Sequence, residues 1–167
     1  VYGHPVSTQD GADGYFGNLM QVEQSLVRML HVDCLGKRAT ALVDNKHTFS
    51  LHGWGPLLKT LALPFIRWRP NHAHLTGPLS WLVRRAAAIE GGTGQAAMIK
   101  WQQWCQHAWL DQKRPRIVAW PWENHGWERH FVHSAKALGI KTIGYQHATV
   151  GVREWNYSNR SNHDGLD

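Results

Sequence analysis

The stretch from Arg116 to His147 most restricts what this chain can fold into, because it reads as strand, turn, helix, turn and strand in one unbroken run. Arg116-Ile-Val-Ala-Trp120 is a short apolar β run, Pro121-Trp-Glu-Asn-His-Gly126 breaks it, and Trp127 to Leu138 has helical spacing that Gly139 closes. Ile140-Lys-Thr-Ile-Gly-Tyr145 follows as a second strand, then Gln146 and His147. Two strands joined through a helix are normally parallel with a right-handed crossover, so both end at one edge of the sheet. Open α/β sheets bind ligands at that edge. The pattern predicts a Rossmann-like parallel sheet flanked by helices, with Glu123, Asn124 and His125 facing the same crevice as Tyr145, Gln146 and His147.

A chain of 167 residues has room for one domain with a sizeable core but not for two full α/β domains. Val1-Tyr-Gly-His4 reads as the tail of a strand, Pro5 to Gly14 as a loop, Tyr15 to about Gln24 as a helix and Val27 to Asp33 as a second strand. Thr48 to His52 is a candidate third strand, and from Gly36 up to the Trp54–Trp68 segment the pattern is otherwise ambiguous. Trp54 to Trp68 places Leu57, Leu58, Leu61, Phe65 and Trp68 on one helical side, which predicts a core helix in preference to one dipping into a membrane surface. Further helices are expected over Pro78–Ile89 and Gln95–Leu110. In the latter, Ala97, Trp101, Trp104, Cys105, Ala108 and Trp109 form a core stripe. Most of the ten Trp are expected in the core, with a minority near the sheet edge available for stacking on a sugar or base. A strand already under way at Val1 and a polar tail from Val152 to Gly165 create the expectation of a lobe, residues 1–150, cut from a two-lobed protein, with 151–167 as linker or the start of the second lobe.

The two turns after the late strands carry the chemistry. Glu123 just beyond a strand end is placed to act as a general base, with partial burial raising its pKa; the competing role is for Glu123 or Asn124 to cap the next helix. His125 can orient Glu123 or share its proton. Tyr145, Gln146 and His147 end a strand with three hydrogen-bonding side chains, which gains nothing in packing and suits sugar hydroxyls or phosphate. Asp10 and Asp13 in the first loop are rival bases, Asp13 for catalysis and Asp10 for binding substrate, although Asp in such loops usually forms turns. That loop lacks a GxGxxG or phosphate-loop pattern.

A net charge of +6 favours anionic partners, but Arg67/Arg69, Arg84/Arg85 and Lys113/Arg114/Arg116 are scattered and lack the dense run of a nucleic-acid arm. Twelve His and two Cys show no metal-type spacing, no HExxH and no nucleophile elbow, so no metal is expected. Two isolated cysteines, no signal-peptide pattern from Val1 and no apolar run of the roughly 20 residues that a span needs fit a cytoplasmic protein, one that can sit at the inner face of a membrane.

Pro121-Trp-Glu-Asn-His-Gly-Trp-Glu-Arg129, with Gly139-Ile-Lys-Thr-Ile-Gly-Tyr-Gln-His147 after the helix, resembles bacterial surface-polysaccharide glycosyltransferase-like proteins of the GT-B type, where such motifs lie in the N-terminal, acceptor-side half. Asp13-Gly-Tyr-Phe-Gly-Asn-Leu19 and His31-Val-Asp33 carry the likeness to the other end of the chain, leaving the middle untouched. The resemblance implies one Rossmann-like lobe of a two-lobed protein, and transfer of a sugar from a nucleotide sugar to a cell-surface glycan such as O-antigen or capsule. It implies Glu123 as base, with His125, Gln146 and His147 lining the interlobe cleft and no bound metal or other cofactor. Its partners would be a nucleotide sugar and a glycan or lipid-linked acceptor, with peripheral membrane association and no nucleic acid. The second lobe, which holds most nucleotide-sugar contacts in such enzymes, lies outside this sequence, so activity from this chain alone is not expected. Two alternatives remain open: a non-catalytic module binding a glycan or lipid-linked intermediate, and a lobe like that of a nucleotide-sugar epimerase.

Overall fold

In a computed structural model of the chain, residues 2–3, 7–30, 34–71, 75–123, 125–146 and 149 are described; Asp33, Asn124, His147 and the whole of 151–167 lie outside them. The described residues form a mixed α/β fold with parallel strands. β1 (Tyr2–Gly3), β2 (Arg28–Leu30) and β3 (Thr48–Ser50) pair in that order. β4 (Ile117–Pro121) and β5 (Lys141–Tyr145) form a second parallel pair, with Trp120 opposite Gly144 and Pro121 opposite Tyr145. Cα atoms of β1 and β4 come within 8 Å of each other, nearer than the roughly 9.5 Å between next-but-one strands.

Helices cover both faces of β2. Successive strand residues point to opposite sides, and here Met29 enters the main core while Leu30 enters a smaller cluster with Cys34, Ala39 and Leu42. The smaller cluster is roofed by α2 (Gly36–Leu42). In the main core Met29 and Leu51 meet Cys105, Trp109 and Leu110 of α4 (Thr93–Lys113), Val118 and Trp120 of β4, and Phe131, Val132 and Ala135 of α5 (Gly126–Ala137). One core thus joins both strand groups. Trp120 and Phe131, both almost completely buried, meet edge to face at 5.4 Å; truncating either to Ala should cost about 3–5 kcal/mol.

The crossover predicted between β4 and β5 is present as α5. Its end explains why Gly139 stands there. Gly139 adopts φ +71, its N–H donates to the Lys136 carbonyl and the Ile140 N–H donates to the Ala135 carbonyl. That is the paired bonding of a left-handed helix stop, which returns the chain to the sheet. β5 borders solvent, with Lys141 and Ile143 exposed.

Elsewhere the structure departs from the pattern. No helix spans Tyr15–Gln24: the Asp13 carboxylate holds the N–H groups of Tyr15 and Phe16 in a turn, Gly17 takes φ +56, and α1 is confined to Leu19–Val22. The third strand stops at Ser50 and gives way to a 3-10 turn, Leu51–Trp54. Leu57–Phe65 is 3-10 rather than α-helical and its leucines are not core. With three residues per turn the inward stripe is Thr60, Leu63 and Ile66, which leaves Leu58, Leu61 and Phe65 outside. Two predicted helices are found as α3 (Ser80–Glu90) and α4, and half of the stripe expected on the latter is buried. On α4 the buried residues are Ala97, Gln102, Cys105, Gln106, Trp109 and Leu110, with Trp101, Trp104 and Ala108 only partly covered. Among the described residues tryptophan is likewise not mainly core: Trp109 and Trp120 are buried, five others are partly covered, and Trp68 and Trp81 are exposed.

Candidate functional site at the carboxyl edge of the late strands

The turn after β4 is fixed at both ends by backbone bonds. Beyond Pro121, the Trp122 N–H donates to the Tyr145 carbonyl at 2.7 Å, so pairing with β5 runs one residue past the strand. Gly144 makes room for this: a Cβ there would come within 3.2 Å of the Trp122 ring. The Glu123 N–H then donates to the carboxylate of Glu128, 3.1 and 3.3 Å from its two oxygens. Glu128 is fully buried in the first turn of α5, three residues after the cap residue His125. A carboxylate there satisfies an N–H ahead of the helix and lies favourably at the positive end of the helix dipole.

Glu128 holds the backbone ahead of α5, and His125 at the cap position makes no side-chain cap bond. Glu123 Oε2 and His125 Nε2 lie 2.8 Å apart, with the two side chains 39% and 56% exposed. A carboxylate and an imidazole in contact, both reachable from solvent, can hold and pass a proton. Asn124, between them, lies outside the described residues.

The strand end facing this turn is used differently. Tyr145 is partly buried, its hydroxyl donates to the Tyr15 carbonyl at 2.6 Å, and its ring meets Phe16 edge-on at 5.3 Å. Burial first, and the nearby Asp13 carboxylate second, hold the phenol above its ordinary pKa, so it stays a neutral donor. Tyr145 therefore anchors the Asp13–Gly17 turn across the sheet edge. Gln146 follows it at the exposed edge, and His147 lies outside the described residues.

Asp13 is the keystone of that turn. Its side chain is buried; Oδ1 accepts the Tyr15 and Phe16 N–H groups, and Oδ2 accepts the Ser7 hydroxyl at 2.6 Å with the Arg28 guanidinium 3.9 Å away. Arg28, buried at the start of β2, also donates to the carbonyls of Thr8 and Ala12 and to the Thr48 hydroxyl. Carboxylate oxygens committed in this way organise a loop; they are not set to take a substrate proton. Asp10 is fully exposed, and its carboxylate accepts the Thr8 hydroxyl, the main cause of its depressed pKa, with the Ala12 backbone adding to it.

Arg28 and Glu128 are the two positions that the sequence reading passed over. Both had a signal: a cation inside the apolar run Val27–Leu30 demands buried partners, and a Glu three residues after a cap position is a helix-start pattern. Cys105 is fully buried, which pushes its thiol up to about 11 and keeps it protonated at neutral pH. Among the described residues no three His, Cys, Asp or Glu side chains group as a metal set, and no helix is long and apolar enough to cross a membrane. No protein-family profile, curated protein or solved structure matches this chain.

Proposed function

We propose that the chain is the acceptor-side lobe of a glycosyltransferase that moves a sugar from a nucleotide sugar to a cell-surface polysaccharide acceptor, with Glu123 as the base. The observation that carries this reading is the Glu123–His125 pair, 2.8 Å apart on a turn at the carboxyl edge of two parallel strands. Ligands of open α/β sheets gather at that edge. The approach of β1 to β4 supports a neighbour order β3-β2-β1-β4-β5, which is the order of a Rossmann-like lobe.

In this scheme His125 orients Glu123, and the Glu123 carboxylate takes the proton of the acceptor hydroxyl as its oxygen bonds to the anomeric carbon. The bond from that carbon to the nucleoside diphosphate oxygen breaks, and the leaving phosphate carries away the electron pair. Cationic groups offsetting that charge belong to a second lobe, and no metal is required. Tyr145, Arg28 and Asp13 contribute by holding the first loop against the edge, and Gln146 borders the acceptor. The acceptor is a glycan or a lipid-linked glycan, and the setting is the cytoplasm or the inner face of the membrane.

The test is product analysis with the full-length protein, nucleotide sugars and acceptor glycans. Sugar appearing on the acceptor supports the proposal. Binding without turnover would make the chain a recognition module, and conversion of free nucleotide sugar with no acceptor present would make it epimerase-like; either result overturns transfer.

A further inference from the structure

The surface formed by Leu57–Arg69 and α3 carries a second inference, independent of the transfer reading. Leu58 is 86% exposed and Phe65 82%, and Leu57 and Leu61 stand out beside them. The Trp68 N–H donates to the Gly91 carbonyl just past the end of α3, and Ile66–Trp68, Ala86 and Glu90 of α3, and α4 together line a cavity of about 410 Å³. The 3-10 segment and α3 therefore both rest on α4, and the residues after the first meet the end of the second. The α3 residues Val83, Ala86 and Ala87 are partly covered, while Trp81, Leu82 and Ile89 are exposed. Both elements thus carry several exposed apolar side chains, more than the single scattered ones normal on a surface.

The charges on this surface are predominantly positive, with the exposed Glu90 at the end of α3 as its one carboxylate. No Asp or Glu occurs between Asp44 and Glu90, whereas Lys59, Arg67, Arg69, Arg84 and Arg85 lie within it. Lys59 lies over the Trp104 ring at 5.6 Å, and all four arginines are exposed. Apolar side chains with exposed Trp and four Arg against the single Glu90 match a bilayer interface with anionic headgroups: the apolar groups enter the acyl boundary, Trp sits at headgroup level and Arg meets phosphate. We propose that Leu57–Arg69 and α3 dock the protein on an anionic membrane surface without spanning it.

The test is flotation of the full-length protein with phosphatidylcholine vesicles, with and without phosphatidylglycerol. Binding is expected only with the anionic lipid and should fall with added salt. The variant Leu58→Ser/Leu61→Ser/Phe65→Ser should lose binding by roughly 10-fold per side chain, and Arg84→Ser/Arg85→Ser by about 5-fold per arginine, with unchanged melting because all five side chains are exposed. Brominated lipid should quench tryptophan emission, and Trp68→Phe/Trp81→Phe should remove most of the quenching. No flotation, equal flotation with neutral vesicles, or flotation unaffected by these variants overturns the proposal. A dimer that the leucine variant converts to monomer, without vesicle binding, would overturn it in favour of a second copy. Turnover is read separately, so failure here leaves the Glu123 scheme standing, and the reverse holds.

Discussion

Replacing Tyr145 by Phe removes one oxygen from the contact that joins β5 to the Asp13–Gly17 turn and leaves the ring against Phe16 in place. The lost bond, 2.6 Å to the Tyr15 carbonyl, is at the short end of the hydroxyl range. A hydrogen bond of this kind contributes about 1 kcal/mol net. Tyr15 is only partly buried, so water can reach the freed carbonyl and the cost should not rise much above that. In a chain of this length the loss corresponds to roughly 2–4 °C in Tm. Urea denaturation should show a lower midpoint at unchanged m-value. Amide exchange should localise the effect: the Gly17 N–H, which donates to the Asp13 carbonyl at 2.8 Å, should lose protection by about 5-fold if the turn opens more easily. Because the folded-state phenol pKa is raised, its contribution is complete below about pH 10 and is lost as pH rises through the higher folded value. The Phe variant should therefore have a flatter alkaline limb. An unchanged midpoint together with unchanged Gly17 exchange would refute the argument that Tyr145 locks the first loop to the sheet edge.

Two further substitutions probe what positions the site. Gly139→Ala places a Cβ on a residue at φ +71 and should destabilise by about 1–2 kcal/mol, read as a lower urea midpoint; a neutral result would remove the left-handed helix stop from the account. Asp44 is depressed in pKa although burial alone would raise it, because its Oδ1 accepts the N–H groups of Lys46, His47 and Thr48 at 2.8–2.9 Å. Its contribution is present above about pH 4 and lost as pH falls through the lower folded value, so Asp44→Asn should lower stability at neutral pH and flatten the acid limb of a stability–pH curve.

The β4-α5-β5 unit was legible because its signals are local: a short apolar run, a break, helical spacing and a glycine that only a left-handed stop explains. The contact of Glu123 with His125 was legible for the same reason, two residues apart on a turn. The first loop was not, because its conformation depends on Arg28, which reaches it from β2. An Asp that could start a helix at Tyr15 instead holds two of its N–H groups in a turn. Tyr145 read as a ligand group because its partner, Tyr15, is distant in sequence. The Leu57–Phe65 stripe misled because leucines spaced for an α-helix lie on a 3-10 segment containing Pro64, where a change from 3.6 to 3 residues per turn moves them from the inside to the outside.

Turnover by Glu123→Gln in the full-length protein tests the central claim most directly. The amide keeps the volume and an oxygen for His125 but cannot take a proton, and the turn itself is held through the Glu123 backbone by Glu128. Transfer should fall by roughly 10²–10⁴-fold with an unchanged melting curve. Transfer at the wild-type rate would contradict the assignment of Glu123 as the base.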